Sequence, residues 1–223
     1  MRGFFILTLV FLTLSSCRPT YQTVNLTRAP NKITYDEYPE ILKKWTRNGK
    51  IIWKFDTTLN VYATMLSWEY RKAYSELFAH VYNLDKKSKN RFWNNQVKQL
   101  DSSVEFIVAA ASANQEWIDF EKGSPNIKGP ASLKGSIWKI TLKVDNNPEI
   151  YPIQIKKLNK TKLHESMFPY MGHFYKLYII KFPFKHNNVE VLPEYSRKII
   201  LKFRSPLGKT DLVWKTNNVY VTE

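Results

Sequence analysis

From Ser67 onward the apolar period of this chain changes once, and that change limits the folds open to it. Between Ser67 and Leu100 apolar side chains recur every three or four positions, so that Tyr70, Ala73, Tyr74, Leu77, Val81 and Leu84 share one helical face. From Ser103 onward the period falls to two. Val104, Phe106, Val108 and Ala110 alternate with Glu105, Ile107 and Ala109, and Trp138, Ile140, Leu142 and Val144 alternate with Lys139, Thr141 and Lys143. Strands that follow one another without helical patterns between them exclude a parallel α/β fold and point to antiparallel sheets.

Local signals fill in the elements. Residues 38–45 predict a short helix, with Pro39 in its first turn and Ile41, Leu42 and Trp45 on one side; Gly49 ends it. Residues 50–65 are rich in β-branched and aromatic side chains and predict a strand with Ile51, Trp53 and Phe55 inward. Ser67 is a good N-cap for the long helix, and a second helix runs from Asp85 to Leu100 with Trp93, Val97 and Leu100 inward. Residues 66–101 thus form a helical hairpin insert. Asn146-Asn147-Pro148 predicts a hairpin between 138–144 and 151–156, where Tyr151, Ile153 and Ile155 share a parity. Further strands are expected at 173–182, at 197–204 with Ile199, Leu201 and Phe203 inward, and at 209–215 with Leu212 and Trp214 inward. Ser205-Pro206-Leu207-Gly208 connects the last two tightly. The expected fold is mainly β with an α insert: an antiparallel β-sandwich of about seven strands, immunoglobulin-like in one form, with a small open barrel as the competing architecture. The glycines and prolines of 112–135 make that stretch a long loop.

The N-terminus carries a different kind of information. Arg2 supplies a short positive region, and an apolar run broken only by threonines extends from Phe4 to Leu14. That is signal-peptide length, well short of the roughly 20 residues a membrane-spanning helix needs. Leu14-Ser15-Ser16-Cys17 follows, and Cys17 is the only cysteine in the chain. These residues resemble the lipobox of bacterial lipoproteins. The resemblance implies that Cys17 receives a diacylglyceryl group on its thiol, that cleavage removes residues 1–16, and that the new amino group is acylated. Each buried methylene adds about 0.8 kcal/mol, so several acyl chains would hold the protein on its membrane permanently. Residues 17–34 then read as a lipidated tether and 35–223 as a single globular domain. Beyond Cys17 the pattern resembles other bacterial envelope lipoproteins of uncharacterised activity. That likeness implies a location in the cell envelope, at the outer membrane ahead of the inner, and no reaction.

Composition narrows the partners. The chain carries 34 Lys and Arg against 19 Asp and Glu, a formal charge of +15, and loss of residues 1–16 removes only Arg2 from that balance. An exported basic domain meets anionic lipid, cell-wall polymer or other envelope proteins rather than nucleic acid. With Cys17 modified no disulfide is available, so the core alone must hold the fold.

Familiar catalytic motifs are missing from the sequence. It has no Gly-x-Ser-x-Gly elbow, no His-Glu-x-x-His helix, no cysteine pair and no phosphate-binding glycine loop, and neither a metal nor a cofactor is expected. Dispersed candidates remain. His164, Glu165 and His173 flank the 167–172 turn; Glu116, Asp119 and Glu121 cluster beside Trp117 and Phe120, as in a carboxylate pair with an aromatic sugar platform. Trp53, Trp138 and Trp214 share the inward parity of their strands, which leaves Trp117 as the exposed aromatic. Lys86, Lys87, Lys89 and Arg91 occupy the first turns of the second helix, where positive charge opposes the dipole by a few tenths of a kcal/mol each. Lys156, Lys157, Lys160 and Lys162 form a second basic run. Three functions follow: a non-catalytic binding or structural domain on a lipid anchor, a binder of anionic polymer or headgroups, and a hydrolase with a dispersed site.

Overall fold

A computed structural model describes residues 21–28, 32–121 and 136–217. Cys17 and the rest of the stretch that resembles a lipobox, and most of the expected 112–135 loop, lie outside the described residues. Among those described, the chain is mainly β: ten strands in antiparallel sheets, with four α-helices and one 3-10 turn. The expected antiparallel β-sandwich with a helical insert is what forms.

The order along the chain is α1 (Tyr38–Trp45), β1 (Thr46–Trp53), β2 (Asp56–Met65), α2 (Trp68–Val81), α3 (Lys86–Leu100), β3 (Ser103–Ala111) and β4 (Lys139–Val144). It continues with β5 (Gln154–Leu158), α4 (Lys162–Met167), β6 (Lys176–Pro183), β7 (Lys185–His186), β8 (Val189–Glu190), β9 (Lys198–Ser205) and β10 (Gly208–Lys215). One sheet has the order β1-β2-β3-β6-β5, the second β10-β9-β4, and β7 with β8 makes a two-stranded ribbon. The sheets share a core in which Phe106 of β3 meets Trp214 of β10 at 5.4 Å between ring centroids, and Phe120 bridges Tyr178 of β6 and Phe203 of β9 at 4.9 and 5.9 Å. The period-two parity holds here: Ile199, Leu201, Phe203, Leu212 and Trp214 are all buried.

Strand β3 departs from simple alternation because both of its faces are covered. Val104, Phe106 and Val108 point into the sandwich, while Ile107 and Ala109 are buried beneath a helical layer on the far side. Glu105 lies on that second face. Its carboxylate takes Arg71 Nη2 at 2.7 Å, Lys181 Nζ at 2.7 Å and the Ser103 hydroxyl at 2.8 Å. Arg71 also donates to Leu66 O, Gln96 Oε1 and Gln99 Oε1, so one buried guanidinium ties α2, α3 and the sheet together.

Three expectations change. The 50–65 stretch is two strands, because Lys54 and Phe55 both have positive φ and form a two-residue turn closed by the Trp53–Asp56 pair. Left-handed conformations cost such residues of order 1 kcal/mol each. Trp53 and Phe55 are therefore exposed rather than inward: the hairpin runs past its last core row, Ile51 with Leu59. The predicted 138–144 with 151–156 hairpin does not form. β4 pairs with β9, a single Leu142–Ile150 bridge follows, and the chain then crosses to the large sheet, where β5 pairs with β6. Residues 21–28, read from sequence as tether, are docked. Val24 is fully buried and forms a parallel bridge to Thr216, donating to Lys215 O and accepting from Asn217 N. Within the helical hairpin, the inward residues of α3 are only half-buried, because Trp93 packs edge-on against Trp68 at a solvent-facing seam.

Two outcomes check this packing. Trp138 is buried and donates its indole N–H to Trp117 O at 2.6 Å, so Trp138→Ala should cost about 3–5 kcal/mol by denaturant titration. For Glu105, burial opposes ionisation, but the Lys181 hydrogen bond, the Arg71 charge and the Ser103 hydroxyl outweigh it and hold the carboxyl below its usual range. A depressed folded pKa gives stability that is complete above the unfolded value, about 4.3, and lost as pH falls through the folded one. Glu105→Gln should flatten that acid loss, and Glu105→Ala should cost about 3–5 kcal/mol at neutral pH by stranding two cations.

Candidate functional site

The docked N-terminal segment forms one wall of a cleft. It lies between Tyr21 and Gln22, the C-terminal half of α1, the start of β1 and the loop after α4, with a volume of about 610 Å³. Its aromatic wall is Tyr62 stacked on Tyr170 at 5.0 Å. A chain of hydroxyls fixes that wall: Tyr170 bonds Thr64 at 2.6 Å, Thr64 bonds Thr46 at 2.7 Å, and Thr46 donates to Leu42 O at 2.7 Å. Leu42, Pro39 and Pro169 add apolar surface, and Lys43, Lys44 and Asn48 stand at the rim.

Arg47 closes one side. Its guanidinium is buried and donates to Val213 O, Lys44 O, Thr46 O and Gln22 O at 2.7 to 3.0 Å, under the Tyr21 ring at 4.5 Å. Burial lowers its pKa to about 10, with Tyr21 acting the other way, so it remains a cation at neutral pH. Burial pushes the Tyr170 phenol well above its usual range and keeps it protonated. No carboxylate or imidazole is among the described residues lining the cleft. Such a site grips by stacking, apolar contact and positive charge.

The sequence-selected residues fall elsewhere. Lys86, Lys87 and Arg91 are exposed on α3 and continue through Asn90, Asn94 and Lys98 as one shallow, basic and amide-rich face. Lys89 leaves this set: it turns to Glu76 of α2, which also holds Lys72, and so staples the helical hairpin. The second basic run divides as well. Lys156 and Lys157 are exposed on β5, an edge strand that lysine protects from further pairing, while Lys160 caps Gly172 O and His173 O and pairs with Glu165, as does Lys162.

Trp117, expected as an exposed platform, is half-buried and its carbonyl receives Trp138. Glu121 accepts Lys157 N–H at 2.9 Å, and Phe120 belongs to the core. His164 is committed to the N-terminal cap of α4 with Thr161, and His173 sits exposed against Phe174. Among the described residues, no group of three His, Cys, Asp or Glu could hold a metal ion, and no helix is long and apolar enough to cross a membrane. Sequence reading missed the cleft because Tyr62, Thr64 and Tyr170 meet only through β1–β2 pairing and the return of the loop after α4. The one local hint was the density of tyrosine.

No known protein family, no curated protein and no solved structure matches this chain.

The two kinds of lysine on α3 separate by mutation. Charge reversal at Lys86, Lys87 and Arg91 should change stability by no more than about 0.5 kcal/mol each and favour the helix dipole. Lys89→Glu, which breaks the Glu76 contact and adds repulsion, should cost about 1 kcal/mol in urea titration, a loss that shrinks in high salt.

Proposed function

We propose that this protein is a lipid-anchored component of the bacterial cell envelope, carried at the outer membrane by acyl chains on Cys17, with a non-catalytic binding domain above the lipid. The observation that supports it best is the docking of residues 21–28. A free leash would serve any exported protein, whereas here Tyr21 lies over Arg47 and Val24 is buried, four and seven residues after Cys17. The short span between suits a domain held against its membrane. The cleft beside Tyr21, lined by tyrosine, proline and leucine with lysines at its rim, suits an extended apolar or anionic segment of an envelope partner.

A second reading has its own support. The α3 face from Lys86 to Lys98 presents lysine, arginine and asparagine with no acidic side chain, which suits an anionic envelope polymer and gives salt-sensitive binding. A hydrolase reading has less behind it, since Glu121, His164 and Glu165 each serve a local structural contact.

Anchoring is tested at Cys17. In cells, the wild-type protein should be cut before residue 17, incorporate labelled palmitate and partition into detergent. Cys17→Ser should remain a full-length precursor without label, because a hydroxyl does not replace the thiol in this transfer. Cleavage and detergent partitioning unchanged by the substitution would rule the reading out.

A further inference from the structure

The end of the molecule where β1 turns into β2 exposes three large hydrophobic side chains in a row of four residues. Ile52 is 61% exposed, Trp53 41% and Phe55 fully, although the turn that holds Phe55 there has to place Lys54 and Phe55 at positive φ. A chain under no other demand would carry Asn-Gly at such a turn. Lysines frame the tip: Lys54 lies over the Trp53 ring at 4.4 Å, and Lys50 is exposed on the strand below.

Neighbouring loops extend this end. The β9–β10 turn abuts it, since Gly208 packs so closely on Ile51 that a Cβ there would lie 2.5 Å from Ile51 Cγ2, and exposed Pro206 and Lys209 flank that glycine. On the other side Ala113 N–H donates to Thr57 O, and Gln115 reaches Phe174 O, which places the highly exposed Phe174 at the same end. Asp56, Glu116 and Asp211 are exposed acids close to these residues in the chain.

Chain direction ties this end to the anchor. Val24 runs parallel to β10, and β10 begins at Gly208 beside the tip, so going backward from Val24 through Tyr21 the chain heads toward that end. Tyr21 is hydrogen-bonded to Asn48 of β1. From Asn48 to Trp53 the strand covers about 17 Å, and the four residues from Tyr21 back to Cys17 reach at most about 14 Å. An anchor within that reach and the tip can therefore meet one membrane surface.

We propose that the β1–β2 tip is a second membrane contact, in which Trp53 and Phe55 enter the interface of an anionic phospholipid surface while Lys50, Lys54 and Lys209 meet its headgroups. The proposal deepens the reading of a lipid-anchored domain and rests on it for the orientation. Tryptophan favours the headgroup level, phenylalanine the acyl boundary, and a lysine stem can lie along both with its charge outward. The acyl chains fix the protein to the membrane, and the tip fixes which way it faces.

The test separates tip from anchor. A chain starting at residue 17 with Cys17→Ser retains every described core residue from Val24 to Trp214 and carries no lipid. It should sediment with vesicles containing phosphatidylglycerol, less with phosphatidylcholine alone, and less in high salt. Trp53→Ser with Phe55→Ser should weaken that binding about ten-fold or more with little change in Tm, because neither ring belongs to the buried core. An environment-sensitive label on Phe55→Cys should shift to the blue on these vesicles and be quenched by spin-labelled lipid, whereas a label on Ser102→Cys should not. Equal vesicle binding by the double variant, or a label at 55 that stays in water, overturns the proposal. Loss of the anchoring reading alone would show as unprocessed wild-type protein in cells, with tip-dependent vesicle binding intact.

Discussion

The guanidinium of Arg47 joins more of this molecule than any other single group described. It binds the carbonyls of the α1–β1 junction, of β10 and of the N-terminal segment at once, and it lies between the Tyr21 and Trp214 rings. A buried cation with no carboxylate partner is costly, and it persists here because four carbonyl oxygens replace its water. Lysine has the charge but not the planar spread of donors needed to reach three segments. Gly49, two residues along, serves the same junction: a Cβ there would meet Thr210 Oγ1 at 2.4 Å, so its absence lets β10 close on β1.

Around that junction the large sheet acts as the middle of three layers. On one face it buries Phe106, Val108 and Ile180 against the small sheet; on the other it buries Ile107 and Ala109 under the helices. Trp45 crosses between layers, accepting from Trp214 Nε1 through its carbonyl and donating its own indole N–H to Glu69 of α2. The ion cluster of Arg71, Glu105 and Lys181 does for the helical hairpin what Arg47 does for the N-terminal segment. Each is a polar knot in a dry interface, satisfied on every side, that fixes one arrangement of packed elements rather than adding much net stability.

These knots give the functional reading its mechanical content. An acyl anchor fixes position but leaves orientation free unless the chain beside it is held. Here the chain is gripped by Arg47, Asn48 and the β10 edge almost as soon as it leaves the proposed anchor. The cleft and the aromatic tip are both built from that gripped segment and the strand beneath it. The basic face of α3 belongs to another element, secured to the sheet through Arg71, and its charge faces solvent.

Helices and their caps were legible in the sequence because their causes are local. Pro39 in the first turn, the Ser67 cap and the spacing of Tyr70, Ala73 and Tyr74 act within a few residues. The inward parity of Ile199, Leu201, Phe203, Leu212 and Trp214 was legible for the same reason, since a strand alternates whatever it pairs with. Which strand pairs with which was not: Asn146-Asn147-Pro148 turns the chain, but only the burial of β4 against β9 sends the next strand to the other sheet. Parity also failed where it outran the core, placing Trp53 inside when the hairpin had already left the sandwich. The resemblance of Leu14-Ser15-Ser16-Cys17 to a lipobox rests on adjacent residues and needs no tertiary structure to be seen. The cleft, the Arg47 junction and the exposed tip depend on residues brought together by folding, and only the tertiary structure, through the distances it sets between them, decided those.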